Sequence, residues 1–392
     1  MRSMARWVAG IVVVLAVAWG GTWWYVQHRL RDMLISYAAG HTAADGSSTL
    51  TYDNITTGYN PFAASATLHD LHLNLQMPGS AAPVIVSEAQ LSLSLSAFSP
   101  NDLKIGLPNR LDITFPEGTI NVTFGDIDAH AGVNPLALFN RNAYPLTSQT
   151  VKMRNVVILA DSSLQLLTIG RLTMQEAWRN AAGPDQTALT LTDSLENFAI
   201  PSWVAAKWDV PFGGRISNAA LSITLSGPAR WSSFMQQFNT TSQSLDDKRK
   251  LLMTMLHDWA QKGGKGNASV HLTIGPSTLN AAADVAFDAN AQPSGTAAIN
   301  ASHLDSFTAA LTSAYPQLQQ SIGTIEGKYS SYLTTSPTDG QMLAVHVAYG
   351  QNGVLVNGVK VEDLPPLDWA ALENGPAAMV QAPGDGSGAA SP

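Results

Sequence analysis

The chain has 392 residues, 21 of them Lys or Arg and 29 Asp or Glu, with 45% hydrophobic residues, 13% charged residues and no cysteine. This apolar content excludes a disordered chain, and the lack of Cys excludes a disulfide scaffold, a zinc finger, an iron–sulfur site and a thiol nucleophile. Four basic residues fall in the first 31 positions, so the remainder carries 17 basic against 29 acidic side chains, a surface that repels phosphate backbones and excludes nucleic acid as a partner.

The first element in the chain is an uncharged run of 20 residues, Trp7 to Val26. At the helical rise it spans roughly 30 Å, the thickness of a bilayer's hydrocarbon core. Trp7 marks one end and Trp23, Trp24 and Tyr25 the other, with Arg2 and Arg6 flanking one side and Arg29 and Arg31 the other. Aromatic rings and basic residues at those places predict a single-pass anchor. The competing reading is a signal peptide cleaved after Ala16-Val17-Ala18, which would leave a sticky stub starting at Trp19. The flanking charges are tied, and the free amino terminus tips residues 1–6 toward the cytoplasm, with the bulk of the chain beyond the membrane.

Residues 27–48 read as a juxtamembrane helix ending near Gly40, followed by a linker. From about residue 49 the apolar period becomes two: Leu71, Leu73 and Leu75, then Leu91, Leu93 and Leu95 among serines. Leu111, Ile113 and Phe115 turn through Pro116-Glu117-Gly118 into Ile120, Val122 and Phe124, the pattern of a hairpin. Further strands are predicted around residues 157–159, 164–169, 189–191, 221–225, 270–274, 285–287, 343–349 and 359–361. A helical insertion interrupts them at about 229–262: Trp231, Phe234, Met235 and Phe238 share a face, Ser244 offers an N-cap, and Gly263-Gly264 ends the next helix. Another helix is predicted from His303 to Ala314, and the Gly-, Ala- and Ser-rich tail 374–392 as disordered. The fold class is thus mainly β, of the α+β kind: a transmembrane helix, then an extended, curved antiparallel sheet with one or two packed helices, filling 49–373.

Chemistry is sparse. His69 and His72, three apart on a strand, are expected on opposite faces and so cannot share a metal. No nucleophile elbow, P-loop, EF-hand or H-E-x-x-H pattern occurs, and Gly263-Gly264-Lys265-Gly266 leads into a strand, not the helix N-terminus a phosphate loop needs. Asp126 with Asp128, and Glu362 with Asp363, are available for acid–base work but read as turn and surface residues. No catalytic residue, cofactor or metal ligand is predicted. Trp203 and Trp208, between Pro201 and Pro211, are candidate partner contacts, the alternative being packing on the sheet.

From Trp259 the chain runs through Gly263-Gly264, a strand, Gly275-Pro276, a second strand, Asp288, Gln292-Pro293 and Gly295. Upstream are the steps "GYNPFAASATLHDLHL" and "VPFGGRISNAALSITLSGP", and near the end paired glycine turns precede Pro365-Pro366. With the N-terminal run, this order resembles bacterial domain-of-unknown-function family 2125. The resemblance implies an uncharacterised protein of the bacterial envelope, anchored in the inner membrane with a periplasmic body, and brings no catalytic residues. The expected function is a non-catalytic, membrane-anchored binding or scaffold protein whose partners are the membrane, an apolar lipid-like ligand on the curved sheet, or an envelope protein. The alternative is an envelope hydrolase using carboxylates assembled by the fold.

Overall fold

A computed structural model describes residues 2–40, 42, 48–58, 60, 62–76, 82–140, 145–240, 245–328, 330–350, 353–363 and 365–374, with side chains in the first helix given from Ala18 to Ala39. The chain opens with helix α1 (Arg2–Gly40). Strands β1 (Ser48–Thr51), β2 (Asn54–Thr57), β3 (Ala63–Leu75), β4 (Val84–Ser96), β5 (Ser99–Gly106), β6 (Arg110–Phe115), β7 (Gly118–Thr123) and β8 (Asp126–Val133) follow. The short α2 (Pro135–Leu138) leads to β9 (Leu146–Ala160), β10 (Leu164–Trp178) and β11 (Thr187–Ala199). Next come α3 (Ser202–Lys207), β12 (Arg215–Ser226), α4 (Trp231–Thr240) and α5 (Leu245–Gln261). The second half holds β13 (Lys265–Ile274), β14 (Ser277–Phe287), β15 (Pro293–Ser302), α6 (Leu304–Ala314) and α7 (Gln319–Lys328). It ends with β16 (Leu333–Ser336), β17 (Gly340–Gly350), β18 (Gly353–Val356), β19 (Val359–Glu362) and α8 (Trp369–Asn374).

All nineteen strands belong to one antiparallel sheet. The predicted hairpin is β6–β7, with Phe115 opposite Gly118. β4 is long enough to pair β6 along one half and β5 along the other, and β9 likewise takes both β7 and β8. From β9 to β15 each strand pairs its sequence neighbour, and β15 then pairs β17. At about 4.8 Å per strand the ribbon is on the order of 70 Å across. Its ends, β1 and β2 against β3 and β19 against β18, pair only inward among the described residues, so the sheet is open.

One face carries two apolar clusters. In the first, Val26, Leu30 and Leu34 of α1 pack on Ala64, Ala66 and Leu68 of β3, Leu93 and Leu95 of β4 and Leu103 of β5. In the second, α4 and α5 bring Trp231, Phe234 and Trp259 onto Trp178, Leu189, Leu225 and Phe287. Leu146 touches both. The predicted helices of the insertion are α4 and α5, the intervening Ser244 lying outside the described residues. Gly263, at φ +76°, ends α5, and Gly264 lies so close to the Trp259 ring that any Cβ would overlap it. The helix from His303 to Ala314 is α6, with His303 held left-handed at its start. The tail predicted as disordered lies, from residue 375, outside the described residues.

The predicted transmembrane helix is corrected: among the described residues no helix is long and apolar enough to cross a membrane. At the end of the uncharged run one face, Trp23 and Val26, is seated on the sheet, while Trp24 is 62% exposed. Val26 is 4% exposed, and Trp23 packs against the first cluster with Leu30 and Leu34 one and two turns on. Only the 16 residues Trp7 to Thr22 remain ahead of that seat, about 24 Å of helix against a ~30 Å hydrocarbon core. Of the proposed anchor residues, Trp24 lies against His28, Tyr25 stacks on Phe139 at 5.3 Å, and Arg29 buries its Nε. Arg31 is exposed, and the side chains of Arg2, Arg6 and Trp7 lie outside those described. The single-pass inner-membrane placement, the membrane as partner and the periplasmic body rested on that span and fall with it.

Tight packing between strands yields one prediction. Gly295 lies between Val285 and Tyr349, where a Cβ would collide with the Asp284 carbonyl, which also accepts the Tyr349 hydroxyl at 3.1 Å. Gly295→Ala is expected to cost about 1–3 kcal/mol of stability, read as a lowered urea midpoint at constant slope.

Candidate binding face

Directly paired residues of antiparallel strands point to the same side, so the register identifies each face of the sheet. One continuous row reads Ala66, Leu93, Ile105, Ala129, Val151, Met174, Asp193, Leu221, Val270, Ala281, Ile299 and Val345, from β3 to β17. A neighbouring row on that side, Met153, Leu172, Leu195, Ala219, Leu272, Leu279, Ala301 and Leu343, is wholly apolar. The row displaced by one residue reads Ser65, Ser94, Lys104, His130, Thr150, Gln175, Thr192, Ser222 and Ser269, and it forms the polar side.

The ends of the apolar side are covered unequally. α1 sits on it at β3 to β5, and α4 and α5 cover one margin from Trp178 to Phe287. Near the other end of the strands, α6 contacts β14 and β17, and its Phe307 stacks on Phe212 at 5.8 Å. Between these lies an uncovered floor on β10 to β15, where Met174 is 41%, Val270 40% and Ile299 36% exposed. Solvent-facing Leu, Ile, Val and Met in one connected patch are uncommon on a finished surface and mark a binding face.

The covered margin is firmly built. Trp259 Nε1 donates to the Ser226 carbonyl at 2.9 Å, Trp178 Nε1 to Leu146 at 3.0 Å, and Trp369 Nε1 to Ala291 at 2.9 Å. α8 clamps α5 from outside: Trp369 stacks on His257 at 4.8 Å, His257 Nδ1 lies 3.3 Å from Glu373, and Arg249 Nη1 donates to the Leu372 carbonyl at 2.9 Å.

The floor has one polar interruption. Glu176 accepts from Gln149 Nε2 at 2.6 Å, and Asp193, one strand over, has an Oδ1 shut off from solvent without a hydrogen-bond partner. An uncompensated buried oxygen is destabilising. Asp193→Leu is therefore expected to raise stability by about 1 kcal/mol in urea titration, whereas Met174→Asp, in the facing position, would lower it.

The residues considered for chemistry lie elsewhere. His69 and His72 do share the outer side, contrary to the expectation from strand alternation. Asp70 adopts φ +51°, which shifts the alternation by one and buries both Leu68 and Leu71. The imidazoles nevertheless engage separate hydroxyls, His69 that of Thr56 at 2.8 Å and His72 that of Ser87 at 2.9 Å. Asp128 contacts His130, whose Nδ1 lies 3.0 Å from Asp102, while Asp126 sits opposite Arg154. This hydrogen-bonded group, which spacing alone did not reveal, lies on the polar side with Lys104 and Thr150 as its neighbours in register. Asp363 pairs with Lys360 at 2.6 Å and Glu362 is exposed. Among the described residues no group of three His, Asp or Glu side chains is placed to hold a metal. Trp203, within α3, and Trp208, just after it, are 45% and 66% exposed.

A family model, that of an uncharacterized protein conserved in bacteria (DUF2125), matches residues 23–348. The chain belongs to this family. The matched stretch begins where α1 seats on the sheet and ends in β17, so it contains the whole apolar floor. No curated protein and no solved structure matches the chain.

Proposed function

We propose that this DUF2125 protein is a binding protein that lays an elongated apolar chain along the floor between β10 and β15. The observation that carries this reading is the unbroken register of Leu221, Val270, Ala281 and Ile299, with its large members part-exposed to solvent. An aliphatic ligand suits it better than a peptide. A polypeptide backbone lying on a floor of Leu, Ala, Val and Ile would find no donors there and only the Glu176 and Asp193 carboxylates as acceptors, and each unpaired amide is costly. Burial of methylene groups instead contributes about 0.8 kcal/mol each. Trp203 and Trp208, both solvent-exposed, are proposed as contacts for a partner.

Diphenylhexatriene, an uncharged rod that fluoresces only in apolar surroundings, tests this reading. Saturable fluorescence at micromolar concentrations, displaced by a long-chain alcohol, is the expected result. A signal no larger than that of an unrelated β-rich protein would refute the proposal.

A further inference from the structure

We propose that the seated part of α1, Trp23 to Ala39, is a displaceable lid on the same apolar trough, covering its β3–β5 end and leaving when the trough fills. This inference rests on the binding reading above. It starts from register: Ala66, Leu93 and Ile105, beneath or beside α1, continue the row that becomes the open floor at Met174 and Val270. The stripe Val26, Leu30, Leu34 and Ala38 thus occupies in cis the kind of surface a ligand chain would use.

The seat of this helix buries unpaired donors, as the opposite margin also does in one place. There, Trp178, Trp259 and Trp369 each give their indole N–H to a carbonyl, while Trp231 Nε1 is buried without a partner. Under α1, Trp23 Nε1 and Arg29 Nε are both buried without a hydrogen-bond partner. Buried donors without acceptors oppose the seated state and are relieved when the helix lifts into water. A polar tie at the seat runs from Gln27 Nε2 to the Gly58 carbonyl at 2.7 Å.

A carboxylate lies at the same interface. Glu88 stands opposite Leu71, a member of the α1 cluster, and Tyr37 faces it from α1. On the sheet side, Ser87 beside it lies opposite His72 on β3 and Asp112 on β6. Burial pushes the Glu88 carboxyl up to about 7. The Tyr37 hydroxyl is also raised, by burial first and by the Glu88 charge second. The folded value lies above the usual one. The seated state is therefore favoured in full below the ordinary carboxyl range, and that advantage is lost as pH rises through about 7. Lifting α1 rehydrates the carboxylate, so alkaline conditions favour the open lid.

Hydrogen exchange resolved to peptides covering residues 23–39, corrected for intrinsic rates, reads the lid directly in the full chain. Between pH 6 and 8.5, protection is expected to fall about three- to tenfold, the upper figure being the part of the unscreened shift that falls in this window and the lower allowing for solvent screening at a part-exposed group. In Glu88→Gln the protection should not change with pH. Equal protection at both pH values, or the same fall in Glu88→Gln, would overturn the inference. Diphenylhexatriene binding supplies the second readout. The lid-covered end should appear as a weaker class of site whose affinity tightens by the same factor at pH 8.5. A lid that opens while that class stays constant would show that α1 does not cover the trough, and the lid proposal would fail with binding to the open floor intact. Absence of probe binding at both pH values would instead defeat the functional reading, and the exchange data would still decide whether α1 lifts.

Discussion

Trp259→Ala is expected to destabilise the protein by about 3–5 kcal/mol, the range for removing a large buried aromatic side chain. The residue is 4% exposed, packs edge-on against Phe287 at 5.5 Å and ties α5 to Ser226. Three losses coincide: the ring leaves a cavity beneath α5, the Ser226 carbonyl loses a donor, and Gly264, which has no side chain, cannot fill the space. A chemical denaturation curve should show a midpoint shift of that size. Because α5 forms a margin of the trough, probe affinity should weaken in the same variant even well below its midpoint. Trp259→Phe keeps most of the ring and loses the indole donor, so an intermediate cost of about 1–2 kcal/mol is expected.

The second large effect concerns the floor. Val270→Asp is expected to weaken diphenylhexatriene binding at least about tenfold, since a carboxylate beneath an apolar chain must be desolvated or displace it. The side chain is 40% exposed in the parent protein, so the substitution leaves the charge in water when no ligand is present. The stability cost should accordingly stay near 1 kcal/mol. Ser269→Asp, one residue away on the polar side, is the matched control and should bind as the parent does. Equal weakening in both variants would mean that the probe reports general surface stickiness rather than the apolar face.

Much of the sheet was legible because one face is apolar and the other is not. Leu91, Leu93 and Leu95 among serines, and the pair Leu111–Phe115 and Ile120–Phe124, show a period of two that only a half-buried strand explains. Some strands built from small or charged residues were missed. The β8 segment Asp126–Val133 mixes Asp, Ala, His and Gly and has no local hydrophobic signal, whereas the strand after Pro293 and Gly295 was legible only from its turn residues. The binding face itself was unreadable because it depends on register across many strands, and register is non-local. Leu221 and Val270 are 49 positions apart yet directly paired.

The N-terminal helix was misread for a related reason. An uncharged run looks the same in sequence whether lipid or a sheet covers it. The sheet takes only the end of that run, Trp23 and Val26, together with Leu30 and Leu34 beyond it, and its side of the cluster, Leu68 and Leu93 among others, comes from strands read separately. The same holds for His69 and His72, where a single left-handed residue, Asp70, overrode the alternation. The hydrogen-bonded group around His130 joins Asp102 to Asp128 across a strand pair, and neither His130 nor Asp102 was visible from the spacing of Asp126 and Asp128.

The central claim, that the apolar side of this open sheet is the binding surface, is tested most directly by photolabelling with a long-chain alkyl diazirine and locating the modified residues by mass spectrometry. Labels should fall on Met174, Leu221, Val270, Ala281 and Ile299, and excess unlabelled long-chain alcohol should suppress them. Labels concentrated on Thr192, Ser222, Ser269 and Ala282, or a pattern indifferent to competitor, would contradict it.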